Sequence, residues 1–128
     1  MHTVERPAMN DRLEPRIRIL LGSSIAIGPG KAALLQAIAE TGSIAAAGRR
    51  MAMSYRRAWV LTKTMNACFR EPLIEAAKGG IGGGGARLTA MGRDMLALYR
   101  AMEDHATAAV MADMEMLRAL MVDEPPED

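Results

Sequence analysis

The chain has a single cysteine and no long uncharged apolar segment. One thiol cannot form a disulfide within the chain, so a disulfide-stabilised scaffold is excluded. No stretch approaches the roughly 18 uncharged apolar residues of a transmembrane helix. Residues 1–18 mix charges and lack the apolar segment of a secretory signal. These absences indicate a soluble cytoplasmic protein, and a length of 128 residues suits one domain.

The sequence also lacks the residue patterns of catalysis and metal binding. His2 and His105 have no partner at a spacing that gives a zinc site, and no nucleophile or acid–base pair is evident. Cys68 is expected to lie in the core at the end of a helix. We therefore expect no enzyme, no cofactor and no bound metal.

A literal match to the dinucleotide fingerprint occurs in the spacing of Gly80, Gly82 and Gly85. Such a match arises easily in a glycine tract. Residues 86–89, which follow, are too extended to open a phosphate-binding helix, and no strand precedes the tract at βαβ spacing. We expect no small-molecule site here.

The net charge of +1 hides an uneven distribution along the chain. Residues 44–93 carry nine basic and two acidic side chains, a local charge of +7. Residues 94–128 carry two basic and nine acidic side chains, a local charge of −7. A basic middle beside an acidic end indicates an anionic partner for the middle.

The first third of the chain is predicted to contain an arm, a strand and a helix. Residues 1–15 are polar and aperiodic and include two prolines, which indicates a flexible arm. Residues 16–21 alternate basic and apolar side chains and predict a strand, and residues 22–30 are predicted as a loop. Helical apolar spacing predicts a helix over 31–41, which ends at Gly42.

Two capped helices with a short break between them follow. Ser43 is a good N-cap for a short, alanine-rich helix that ends near Met51 and allows close helix crossing. Ser54 caps an amphipathic helix over residues 55–69, stopped by Pro72. This arrangement predicts a helix-turn-helix.

A glycine-rich hairpin comes next. Residues 73–77 and 86–88 are predicted as strands, and the segment 78–85 between them holds six of the twelve glycines. A hairpin after a recognition helix is a wing. Its glycines let the backbone lie close to phosphates, flanked by Lys78 and Arg87.

The last helix is predicted to start at a Thr89 cap, to end near Val122 and to be roughly 50 Å long. Its apolar stripe consists of Met95, Leu98, Tyr99, Met102, Ala106, Val110, Leu117, Leu120 and Met121. A domain of this size cannot cover the whole stripe, so a second copy is expected to bury its far end.

The predicted fold class is mainly α with a small β-hairpin, as a winged helix-turn-helix followed by a long C-terminal dimerisation helix. The predicted boundaries are a flexible arm over 1–15, a DNA-binding domain over 16–88, the dimerisation helix over 89–122 and an acidic tail over 123–128.

The second helix of the helix-turn-helix has an apolar face and an opposite basic face. The basic face carries Arg56, Val60 and Lys63, with Arg57 on one flank. Small residues permit close approach to the major groove, and arginine or lysine can contact guanine or phosphate. A surface helix with ordinary solvated charge is the alternative, but the wing and the uneven charge favour DNA binding. Trp59 is predicted to pack under the wing, with a position at the DNA surface as the alternative.

The candidate DNA-binding residues share this helix, the helix starts and the wing. They are Ser43, Ser54, Tyr55, Arg56, Arg57, Trp59, Val60, Lys63, Lys78, Gly80, Gly82 and Arg87.

Two motifs carry a resemblance to a known family. They are S-Y-x-x-A-W at residues 54–59 and G-G-x-G-G-G-G-A at residues 79–86, supported by Gly42-Ser43-Ile44. Residues 16–102 closely resemble the N-terminal domain of the molybdate-responsive, ModE-like transcriptional regulators, and more broadly the LysR-type winged helices. The resemblance implies a winged helix-turn-helix that dimerises through its C-terminal helix and binds palindromic operator DNA. Longer family members continue into molybdate-binding domains, and we expect no such module here.

The function predicted is a homodimeric regulator that binds double-stranded operator DNA and is linked to molybdenum metabolism through the resemblance. The alternative is a sensorless interaction subunit that dimerises with a full-length relative and modulates it. The basic face separates the two, because a subunit that only dimerises has no need of it.

Overall fold

The computed structural model describes residues 13–77 and 85–127. Residues 16–101 form one compact unit, and the other described residues form a second. The elements, in chain order, are β1 (Ile19–Leu21), β2 (Ser24–Ile27), α1 (Pro29–Thr41), α2 (Ile44–Arg50), α3 (Tyr55–Ala67), β3 (Ile74–Ala77), β4 (Gly85–Leu88) and α4 (Ala90–Ala119). The predicted fold class is confirmed as mainly α with a small wing hairpin and a long C-terminal helix. Most of the predicted arm and the centre of the predicted wing lie outside the described residues.

The strand predicted near the N-terminus belongs to a hairpin that the sequence reading missed. β1 pairs with β2 in antiparallel register, so the loop predicted over residues 22–30 is wrong for Ser24–Ile27. Gly22 has a φ of 63°, a conformation that glycine adopts without a steric penalty, and it allows the tight turn between the strands. The hairpin places Ala26 and Ile27 in the core.

Local capping signals set the starts of α2 and α3 as predicted. The Ser43 hydroxyl accepts a hydrogen bond from the Ala46 amide at 3.1 Å. The Ser54 hydroxyl accepts one from the Arg57 amide, also at 3.1 Å. Both bonds satisfy amides that the first helical turn leaves without a partner. Gly42, with a φ of 73°, ends α1 as predicted.

The helix-turn-helix is held by close packing of small residues. A Cβ added at Gly48 of α2 would lie 3.2 Å from the Cβ of Ala58 in α3, closer than most Cβ contacts, so a side chain there would force α3 to shift by a few tenths of an ångström. The turn between these helices contains Ala52, whose φ of 56° is unusual for a residue with a side chain. The Glu40–Arg50 ion pair joins α1 to α2. Hydrogen bonds from Gln36 and Arg50 lower the pKa of Glu40.

The wing strands are fastened to the helical core at two points. The Asn66 side chain donates to the carbonyl of Ile74 at 3.0 Å and accepts from the amides of Leu73 at 2.8 Å and Ile74 at 3.2 Å. The Ala86 amide donates to the carbonyl of Gly42 at 2.9 Å. These bonds give backbone groups of β3 and β4 partners outside the hairpin, and so fix the wing against α1 and α3.

The start of α4 packs tightly into the unit formed by residues 16–101. The Thr89 hydroxyl accepts from the Gly92 amide at 2.9 Å, so Thr89 caps α4 as predicted. A Cβ at Gly92 would lie 2.1 Å from the Leu73 carbonyl oxygen, too close for any other residue. Tyr99 is buried and donates to the carbonyl of Ile17 at 2.7 Å.

The apolar stripe of α4 differs in detail from the predicted one. Leu96, which the stripe omitted, is in the core, whereas Leu98 is exposed. From Met102 onward no described residue is buried. The helix has 30 residues, which corresponds to about 45 Å.

Candidate nucleic-acid interface

The orientation of α3 is set by its apolar face. Ala58, Thr62 and Met65 are buried against the rest of the unit. Because successive helical residues are about 100° apart, the positions farthest from this face are Arg56, Val60 and Ala67. All three are exposed, as the helical pattern predicts. The outermost face of α3 therefore carries one arginine and two small apolar residues.

One groove lies between α3 and the wing, and we call it the wing groove. It encloses about 420 Å³ and is lined on the α3 side by Tyr55, Trp59 and Lys63. Ala76 and Ala86 are among the wing residues on the opposite wall. Glu75 also lines this wall and is paired with Arg87, while the small side chains of Ala76 and Ala86 leave the groove open to a ligand approaching α3.

The single tryptophan forms part of the wall of this groove. Its side chain is 43% exposed, and the Lys63 ammonium lies 4.8 Å from the ring centroid. A cation at this distance over an indole face is attracted by the ring electrons. Trp59 therefore lies beside the wing, and it is also partly exposed to solvent. The structure combines features of both predicted positions. Lys63 and Trp59 thus line the groove together.

The wing contributes one described candidate, Arg87. It lies opposite Glu75 in the β3–β4 register, and its Nε donates to a Glu75 carboxylate oxygen at 2.9 Å. The pair is largely exposed, so it contributes little to stability. Lys78, Gly80 and Gly82 lie outside the described residues.

A second groove lies on the other side of α3, and we call it the hairpin cleft. It encloses about 310 Å³ and is lined by Arg57, by Arg18 before β1 and by Lys31 in the first turn of α1. Arg57 is thus on the opposite flank of α3 from Trp59 and Lys63, as the helical wheel predicts. Arg18 and Lys31 were missed as candidates, although Arg18 stands in the basic–apolar alternation that marks the strand.

The two serines on the candidate list have structural roles. Both hydroxyls accept amide hydrogen bonds as helix caps. Ser43 also lines the wing groove.

No described helix is long and apolar enough to cross a membrane. Within the part of the chain that the structure describes, no three metal-ligating side chains cluster.

The fold and the exposed face of α3 define a winged helix-turn-helix domain. Solved structures support this fold. The DNA-binding domain in a CbnR–DNA complex superposes with a TM-score of 0.55 and 23% identity, covering 69% of this chain and 95% of that domain. Full-length CbnR bound to its target DNA gives a TM-score of 0.50 and 24% identity, over 68% of this chain and 28% of that protein.

Curated relatives are more similar in sequence. The chain is 42% identical over 84 residues to the molybdenum-pterin-binding protein MopA of Rhodobacter capsulatus, covering 66% of this chain and 32% of MopA. It is 46% identical over 70 residues to the molybdenum transport protein ModE of Azotobacter vinelandii, covering 55% of this chain and 26% of ModE. It is 41% identical over 71 residues to the DNA-binding transcriptional dual regulator ModE of Escherichia coli K12, covering 56% and 27%.

These similarities confirm the resemblance to the ModE-like regulators. The chain spans about a third or less of the length of these relatives. No protein-family model matches it.

Proposed function

We propose that the protein is a transcriptional regulator that inserts α3 into the major groove of double-stranded DNA. The observation that carries this proposal is the exposed face of α3, where Arg56 projects farthest and no acidic residue interrupts the helix. A helix with its side chains is about 10–12 Å across, and the major groove is about 12 Å wide. The relatives named as transcriptional regulators support the same function.

The candidate residues have different roles in this proposal. Arg56, Val60 and Lys63 face the base edges, while Tyr55 and Trp59 line the path of one DNA strand. Arg57 contacts the backbone on the opposite flank, and Ser43 and Ser54 hold the helix starts in place. Arg87 and the wing segment around Lys78, Gly80 and Gly82 approach the backbone beside the wing groove.

We further propose that the protein acts as a homodimer through α4, with residues 16–88 as the DNA-binding domain and, as the dimerisation element, α4, which ends at Ala119 rather than near Val122, together with the apolar residues that follow it. Leu117 and Leu120 are 49% and 84% exposed, and Met116, Met121 and Val122 are exposed beside them. A second copy of the same helix offers a matching apolar surface, and a twofold axis would present two recognition helices to a palindrome.

The names of the relatives link the proposal to molybdenum. MopA and ModE are called molybdenum-pterin-binding and molybdenum transport proteins. We infer that this chain regulates genes for handling molybdenum, in the cytoplasm where the DNA lies, and that it is not an enzyme.

Selection of duplexes from a random-sequence pool tests the proposed function. The intact chain should enrich a palindrome whose half-sites lie roughly 10 base pairs apart, or a multiple of that spacing. The alternative, an interaction subunit without its own DNA contacts, predicts no enrichment by the chain alone and enrichment only when a longer ModE-like relative is added. No enrichment under either condition would refute both functions.

A further inference from the structure

The hairpin cleft brings together three cationic side chains from three separate elements. Arg18 precedes β1, Lys31 lies in the first turn of α1, and Arg57 lies in the first turn of α3. They are distant in sequence, so the fold alone makes the cluster. None of the described residues that line the cleft is acidic.

Two of these side chains are held in place by the surrounding backbone. A Cβ added at Gly28 would lie 3.3 Å from Cγ of Arg18, so the glycine lets the Arg18 stem lie against the start of α1. The Lys31 ammonium donates a hydrogen bond to the carbonyl of Ile25 in β2. Arg18 and Lys31 thus both line the cleft, and none of its described lining residues is an anionic partner for them.

The cleft and the wing groove lie on opposite flanks of α3. Arg57 and Leu61, four residues apart, line the hairpin cleft. Trp59 and Lys63, also four residues apart, line the wing groove. At 100° per residue, positions 57 and 59 point about 160° apart around the helix axis. A helix in a major groove has one phosphate backbone on each side, so α3 separates two surfaces that each face one DNA strand.

We propose that the hairpin cleft binds a backbone phosphate of the DNA strand opposite the one that passes through the wing groove. Arginine forks and a lysine ammonium form charge-assisted hydrogen bonds with phosphate oxygens. The cleft is therefore a second backbone contact, separate from the recognition face and the wing. This inference rests on the proposed function.

The first test measures the salt dependence of binding to the duplex that the wild-type chain enriches. The variant is Arg18→Gln with Arg57→Gln, which removes both charges but keeps most of each side-chain stem. Its binding constant should fall several-fold, and the slope of log K against log salt should become shallower by about one or two phosphate contacts. The control is Arg70→Gln with Arg93→Gln, which removes two guanidinium groups outside both grooves and should change the slope less than half as much. Melting temperatures of both variants establish that they fold.

The second test identifies the phosphate. Single methylphosphonates, which are uncharged, replace individual phosphates along each strand of the same duplex. For the wild-type chain, one position on the strand away from the wing should weaken binding, and the Arg18→Gln/Arg57→Gln variant should be insensitive to that position alone. Sensitivity of the variant to every position that affects the wild type would overturn the assignment.

Titration with inorganic phosphate in the absence of DNA tests whether the cleft binds a free phosphate ion instead of a DNA phosphate. Binding of free phosphate that the double variant abolishes, together with no coupled position in the methylphosphonate scan, would make the cleft a free-anion site and overturn the proposal. Failure of the wild-type chain to bind any duplex would refute the proposed function itself. Normal wild-type binding with an unchanged variant would refute only the hairpin cleft.

Discussion

Arg56 and Lys63 lie on the same exposed side of α3 but are held differently. Arg56 is close to the outermost point of the helix and has no ion pair among the described residues, so its guanidinium is available to a base edge or phosphate. Lys63 lies over the Trp59 ring and along the wing groove. In the proposed complex, we expect Arg56 to read the centre of a half-site and Lys63 the edge nearest the wing.

We expect Arg56→Ala and Lys63→Ala each to weaken binding to the enriched duplex by about 1–3 kcal/mol, the usual value of a lost base contact. Because both side chains are exposed, the melting temperature should barely change. Fluorescence anisotropy titration measures the affinity, and Arg70→Ala is the matched control. Wild-type affinity in either variant would show that the side chain is not in the groove.

Asn66 is important for the wing although it does not contact DNA in this proposal. Asn66→Ala leaves the Leu73 amide and the Ile74 amide and carbonyl without their side-chain partner. Unpaired polar groups cost about 1–3 kcal/mol, so the free energy of unfolding in urea should fall by that amount. Asn66→Asp keeps the acceptor for the two amides but places a second oxygen against the Ile74 carbonyl, where two acceptors repel each other, so this variant should lose part of the same stability. Equal stability of all three proteins would show that solvent replaces these bonds.

At the scale of elements, the turn between α2 and α3 contains a residue in an unfavourable backbone conformation. Ala52 has a φ of 56°, which costs a residue with a side chain about 1–2 kcal/mol relative to glycine. Glycine also loses more entropy on folding, so Ala52→Gly should raise the free energy of unfolding by roughly 0.5–1 kcal/mol.

The matched control is Ala108→Gly, an exposed position within α4, where glycine should lower stability by about the same amount. Thermal unfolding measures both. If Ala52→Gly lowers stability as Ala108→Gly does, the claim that the backbone at Ala52 is strained is wrong.

The elements predicted from sequence were those with local signals. Ser43, Ser54 and Thr89 are caps whose partners lie three residues away, so a short stretch of sequence specifies each helix start. The strand Ser24–Ile27 was missed because it is only four residues long and follows a glycine turn. It is recognised as a strand mainly by its pairing with β1, which a local sequence pattern does not show.

The same limit applies to the candidate interface. The basic face of α3 follows from helical periodicity within thirteen residues, so the sequence predicts it. The hairpin cleft joins Arg18, Lys31 and Arg57 through tertiary packing, and the roles of Asn66 and Gly92 depend on where β3 lies. No spacing in the sequence marks these contacts.

At the scale of the whole molecule, opposite charges are concentrated in different parts of the chain. The basic segment 44–93 contains α3 and both wing strands, while residues 94–128 have a local charge of −7. In the proposed complex, acidic side chains on α4 would repel phosphates, which would keep this helix out of the DNA interface and leave its apolar side chains for a protein partner.

We expect Leu117→Lys to shift the protein from dimer to monomer at micromolar concentration, because a charge in a shared apolar face is not paired there. Ala108→Lys places the same charge on the opposite side of α4, about 180° away, and should leave the dimer intact. Sedimentation velocity distinguishes the two species. A monomeric wild type, or a Leu117→Lys variant that stays dimeric, would contradict dimerisation through this face.

Dimethyl sulfate protection on the enriched duplex tests major-groove insertion of α3 most directly, because the reagent methylates guanine N7 in that groove. The intact chain should protect two clusters of guanines on one face of the duplex, roughly 10 base pairs or a multiple apart. Arg56→Ala should lose protection in both clusters. Binding that leaves every guanine N7 reactive would contradict the insertion of α3 into the major groove.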